Sequence, residues 1–114
     1  MSIAAGRLRH RVDIQKPVKV QNSTSGASRV NWSTEWAAVP AAIEPLSARE
    51  FIAAQAQQSQ ITGKVIVRYI EGLTPKHRIV HGSRIYNIQG VLADPDSGLE
   101  YLTLPVTEGT NEGT

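Results

Sequence analysis

The sequence predicts a mainly-β domain of about six short strands with a single helix, arranged as a small barrel or a sandwich. Three observations carry this. Apolar and polar residues alternate over short stretches, turn signals of Gly, Pro, Asp and Ser separate those stretches, and one helix-start pattern interrupts them near the middle. With 114 residues, 40% hydrophobic and 19% charged, the chain suits one folded domain with one core. We expect residues 1–106 to form that domain and residues 107–114 to be a flexible acidic tail.

The first strand is read from Leu8-Arg9-His10-Arg11-Val12-Asp13-Ile14-Gln15. Leu8, Val12 and Ile14 share one parity, while Arg9, Arg11 and Asp13 take the solvent side. Pro17 limits its extension, and the polar run 21–28 reads as a hairpin tip. Val30, Trp32, Trp36 and Ala38 then share a face, after which Val39, Ala41 and Ile43 take the opposite parity. A phase change near Ala38-Val39-Pro40 predicts a β-bulge or sharp bend in one long strand. Ser47-Ala48-Arg49-Glu50 has the form of a capping box, so a helix is expected over roughly residues 47–58.

Strands resume at 64–70, followed by a turn at Glu71-Gly72-Leu73-Thr74-Pro75. A hairpin pair follows at 77–81 and 84–92 around His81-Gly82-Ser83. Asp94-Pro95-Asp96-Ser97-Gly98 makes a second turn before a last strand at 99–106. The expected core includes Val12, Ile14, Trp32, Trp36, Ile43, Val67, Tyr86 and Ile88. Strand spacing alone leaves barrel and sandwich open.

The residues offer little for catalysis. No nucleophile elbow, Walker loop, dinucleotide fingerprint or His-Glu-x-x-His pattern is present, and an enzyme is not expected. There are no cysteines, so no disulfide or thiolate site exists. His77 and His81 sit four apart in a strand, roughly 13 Å, too far for one zinc. Asp94 and Asp96 read as turn chemistry rather than an acid–base pair. No catalytic, metal or cofactor-binding residues are therefore assigned and no cofactor is expected. No apolar run reaches the roughly eighteen residues of a membrane span, and the start lacks the apolar segment of a signal peptide.

Charge is uneven along the chain. Residues 1–30 carry six Lys/Arg and one Asp, whereas residues 91–114 carry five acids and no Lys or Arg. A basic front and an acidic end suit head-to-tail attraction between copies, the contact from which rings are built. Arg7, Arg9 and Arg11 are candidates for contact with an acidic protein partner. A merely solvated face is one alternative and direct nucleic-acid contact another, the latter disfavoured by an aromatic content of 5%. Gln55, Gln57, Gln58 and Gln60 form a polar, uncharged stretch, read either as an exposed helix end or as a channel-facing segment.

Gly6-x-Leu8-Arg9-His10-Arg11-Val12-x-Ile14-Gln15 resembles the opening of the phage head-tail joining (head-closure or stopper) proteins of long-tailed bacteriophages. So does Trp36-Ala37-x-Val39-x-Ala41-x-Ile43-Glu44-Pro45-Leu46-Ser47-x-Arg49-Glu50, with Ala48 where that family often has glycine. Val67-Arg68-Tyr69, Gly72-Leu73-Thr74-Pro75, Arg78-Ile79-Val80 and the run 84–91 keep the family's order. The resemblance spans residues 6–106. It implies a small β-barrel with a helix-bearing excursion at residues 47–63, whose four glutamines become candidate channel gates. It further implies a hexameric or dodecameric ring in the virion neck, assembled in the host bacterial cytoplasm. That ring closes the DNA exit channel after packaging and offers the tail its docking surface. Expected partners are a portal or adaptor ring, a tail-terminator or tail protein, and packaged double-stranded DNA, with no membrane. Arg49 and Glu50 join Arg7, Arg9 and Arg11 as candidate interface residues. An adaptor or tail-completion subunit of the same neck is the near alternative, and a small-barrel nucleic-acid binder the distant one.

Overall fold

A computed structural model describes residues 8–21 and 28–109. The strands are β1 (His10–Gln21), β2 (Ser28–Pro45), β3 (Gly63–Arg68), β4 (Arg78–His81), β5 (Arg84–Ile88), β6 (Leu92–Ala93) and β7 (Tyr101–Gly109). One helix, α1 (Ala48–Ala56), lies between β2 and β3. The sheet order is β3-β2-β1-β4-β5-β7-β6, and a further β3–β7 pairing closes it. The domain is therefore a six-stranded antiparallel barrel with β6 as an extra strand on β7, which decides between barrel and sandwich.

The barrel interior follows from alternation. Val65 and Val67 of β3, and Leu102, Leu104 and Val106 of β7, point inward and meet Val12, Ile14, Ala41, Ile79, Tyr86 and Ile88 in one cluster. Trp36 and Ile43 pack on it half-buried. Ile66 faces outward yet is buried, because Leu8 lies over it together with Ala42 and Tyr101. Leu8 thus belongs to a second cluster outside the barrel and not, as its parity with Val12 suggested, to the main core. It precedes β1 and is not bound by that strand's alternation.

Two register shifts shape β2. Val12 faces Val39 but Ile14 faces Trp36, and Gln15 then faces Thr34, so β2 carries an extra residue at each step. The first shift falls at Ala37-Ala38, beside the expected phase change. Ala38 takes the left-handed conformation (φ 53°), and its N–H donates to the Asp13 carboxylate at 2.9 Å. The second shift, at Glu35, has no mark in the apolar pattern and reverses the side on which Trp32 lies. Trp32 consequently lies across from Pro17 on the outer face and outside the core. Arg78 stacks on its ring at 4.2 Å and donates to Gln15 at 2.8 Å.

The helix is delimited as the sequence indicated. Ser47 accepts from the Glu50 N–H, and the Glu50 carboxylate accepts from the Ser47 N–H, completing the capping box. Its far end closes with paired bonds from Ser59 N–H to Ala54 O and from Gln58 N–H to Gln55 O, with Gln58 left-handed at φ 56°. Strand β7 runs to Gly109, pairing Thr107, Glu108 and Gly109 with β5, so the barrel extends three residues into the expected tail. Residues 110–114 of that tail lie outside the described residues.

Asp94 organises the turn before β7. Its carboxylate accepts from the N–H groups of Ser97, Glu100 and Tyr101. These bonds, that from Ser97 foremost, hold its pKa well below the usual carboxylate range. A depressed folded-state pKa stabilises above the unfolded value, and that contribution fades as pH falls. Asp94→Asn is therefore expected to lower the unfolding temperature at pH 7, with the gap to wild type narrowing below about pH 4. Thermal unfolding of both proteins across that pH range measures it, and a gap constant with pH would remove the carboxylate's charge from the account.

Candidate functional site

Strand directions divide the barrel into two ends. β1 runs toward the β1–β2 ribbon, and β4 pairs with it so that Arg78 lies on the ribbon side and His81 on the other. The start of β1, the 45–63 excursion, the β4–β5 hairpin and the end of β7 therefore share the end remote from the ribbon.

At this remote end lie Arg9 and Arg11, both exposed. Arg7 lies outside the described residues. Arg49 is exposed on the first turn of α1. Glu50 is committed locally. Besides its cap it meets Lys64 at 3.1 Å, and the Ser47 N–H and then Lys64 keep its pKa below the ordinary value. His10 and His81 stack edge to face with ring centroids 5.0 Å apart. His81 is thus carried away from His77, as strand spacing required.

The excursion hangs on the outer face of the barrel. No residue of α1 is buried, and Phe51 and Ile52 are 54% and 68% exposed. Between the helix and strands β3, β6 and β7 is a cleft of about 290 Å³, lined by Leu46, Ala54, Ile61, Leu92 and Pro105 among others. Gln55, Gln57, Gln58 and Gln60 are all exposed. Gln58 also stops the helix, and Gln57 is its C-cap. A second cleft of about 300 Å³ opens at the same end, where Glu44, Lys64, Arg84 and Glu108 surround Tyr86.

Near the ribbon, His77 is buried. Its Nε2 meets Glu35 Oε1 at 2.6 Å, and its Nδ1 accepts from the Thr74 N–H at 3.2 Å, with Thr74 Oγ1 at 3.1 Å. Nδ1 also lies 3.3 Å from the Thr74 carbonyl, so Thr74 brackets one ring nitrogen while Glu35 holds the other. Hydroxyl, imidazole and carboxylate in series have the connectivity of an acid–base relay. Here the Thr74 hydroxyl already accepts from the Lys76 N–H, and the imidazole packs 5.2 Å from Trp36. The group works as a clamp between the bulge of β2 and the β3–β4 connection. Sequence reasoning missed this pair, since 42 residues separate Glu35 from His77 and the second bulge brings them together.

The remote end thus gathers exposed arginines and a helix with no buried residue, and the ribbon is clamped at its root. The model of one protein family, described as phage head completion protein, matches residues 3–109. No curated protein matches the chain. The solution structure of protein SF1141 from Shigella flexneri 2a is similar, with a TM-score of 0.70 and 25% identity over 96% of this chain and 100% of that one. A chain in the virion of a native gene transfer agent particle shares the fold, with a TM-score of 0.60 and 22% identity over 89% of this chain and 94% of that one.

Proposed function

The chain belongs to the phage head completion protein family, and from that premise as a structural phage protein we propose that it forms a ring at the head-tail junction. The ring closes the DNA exit channel after packaging and presents the surface on which the tail docks. The observation that carries this reading is the family match over essentially the whole barrel, with the helix-bearing excursion included. The gene transfer agent likeness adds a particle context for the same fold.

In this reading the exposed arginines at the remote end of the barrel meet an acidic surface of the portal or adaptor ring or of the tail. The excursion at 47–63 approaches the channel. Its glutamines offer hydrogen bonds to passing DNA without net charge, so they block without gripping the backbone. With no buried residue in α1, the excursion rearranges at low cost when the tail arrives. An adaptor or tail-completion position in the same neck differs in layer and not in chemistry.

The test is the mass of the purified chain by light scattering, alone and mixed with portal–adaptor rings of the same virus. Joining in a multiple of about six copies is expected. A chain that ignores those rings removes head closure as its role.

A further inference from the structure

We propose that the β1–β2 ribbon is an assembly arm that seats on the opposite flank of the next copy of this chain, against the acidic connection between β6 and β7. The proposal deepens the ring reading and rests on it.

Beyond Gln15 and Thr34, β1 and β2 pair only with each other among the described residues. β4 reaches β1 only at 13–15, and β3 reaches β2 only at 41–45. The ribbon, six residue pairs from Lys16 to Gln21, therefore projects roughly 20 Å from the barrel. A two-stranded ribbon is marginal by itself and leaves rows of unpaired backbone groups on its edges. Pro17 interrupts the donor row of β1, which leaves the β2 edge the better one for pairing. The ribbon is nonetheless aimed. The Asp13–Ala38 bond, the Glu35–His77 pair and the Arg78–Trp32 stack all grip its root.

Charge and topology name the occupant. Between Asp13 and Glu35 the chain carries Lys16, Lys19 and Arg29 and no acid. The connection between Ala93 and Tyr101 carries no Lys or Arg, and of its three acids Asp96 and Glu100 are exposed while Asp94 is buried in its own turn. The Tyr69 N–H donates to the Glu100 carbonyl, so β3 brings the exposed Arg68 opposite Tyr101 and the chain reaches Glu71 two residues on, which leaves the acids in excess on this flank. Around the closed barrel β7 stands three strands from β1 in either direction. The basic arm and the acidic connection thus occupy opposite flanks of the same end. Complementary patches on opposite flanks join copies head to tail and close into a ring. Two arms facing each other would instead bring like charges together.

The chain has no cysteine, so introduced thiols are the only ones it carries, and particles with the wild-type chain are the control for thiols of other proteins. Val18 on the arm and Leu99 in the acidic connection are exposed. Treating particles that carry Val18→Cys with Leu99→Cys with a short bis-maleimide is expected to give a covalent ladder beyond the dimer. Dimers from Val18→Cys alone would indicate arm-to-arm pairing and overturn the proposal. Absence of cross-links in particles containing the chain would overturn it as well. Should the cysteine variant fail to enter particles, charge exchange decides. Lys16→Glu is expected to reduce incorporation about tenfold, and adding Glu100→Lys to restore it to within about twofold of wild type. No restoration overturns the proposal. Failure of the ring reading itself would show separately, as wild-type chain that ignores the portal–adaptor rings.

Discussion

Ile14→Ala is expected to remove about 3–4 kcal/mol of unfolding free energy, the upper range for truncating a buried aliphatic side chain. Ile14 is fully buried and lies between the two register shifts, paired with Trp36 on one side and Ile79 on the other. A barrel closed by hydrogen bonds on every side collapses poorly around a void, so the cavity term adds to the lost transfer energy. A domain of this size is held by about 5–15 kcal/mol, so the loss is a large share of the total. Phe51→Ala is the natural control. Its side chain is more than half exposed on α1, and its removal is expected to cost under about 1 kcal/mol. Urea denaturation measures both, and equal losses would mean that the interior has been assigned to the wrong face of β1.

That interior was largely legible in the sequence, because strand alternation is a local signal. Val12 and Ile14, Val67, and Tyr86 with Ile88 fall in the core for that reason. The Ser47–Glu50 box and the Asp94 turn were legible too, since each is written within a few residues. What failed was phase across distance. One parity change near Ala38 was visible as a break in the apolar pattern. The second, at Glu35, left a plausible pattern of Val30, Trp32 and Trp36 intact and placed Trp32 on the wrong face. Closure of the barrel through β3 and β7 joins residues about forty apart and has no local mark. The family resemblance supplied what alternation could not.

The candidate surface divides along the same line. Solvent exposure of Arg11 follows from parity, whereas the employment of Glu50 and Gln58 depends on partners within the fold. Glu50 caps the helix and holds Lys64, and Gln58 ends the helix in a left-handed conformation. Replacing Glu50 therefore disturbs the excursion itself and would blur any effect on a partner. Arg9 and Arg11 carry no such duty at a helix cap, and reversing their charge probes the surface at the start of β1.

Arg9→Glu combined with Arg11→Glu is expected to leave the domain folded and to weaken joining by roughly a hundredfold. Both side chains are exposed, Arg9 just before β1 and Arg11 within it, and neither enters the core, so the domain should stay folded. Reversing two charges at an acidic partner removes attraction and adds repulsion, an effect larger than truncation to alanine. Exposed charges are also screened, so wild-type joining should itself weaken as salt rises and the variant's defect should narrow. The readouts are thermal unfolding of the purified variant and the yield of tailed particles when it replaces wild type during assembly. A folded variant that joins as well as wild type would falsify the arginine surface, and attention would pass to the apolar face of α1 at Phe51 and Ile52. An unfolded variant would instead return the question to β1, whose alternation places Arg11 in solvent.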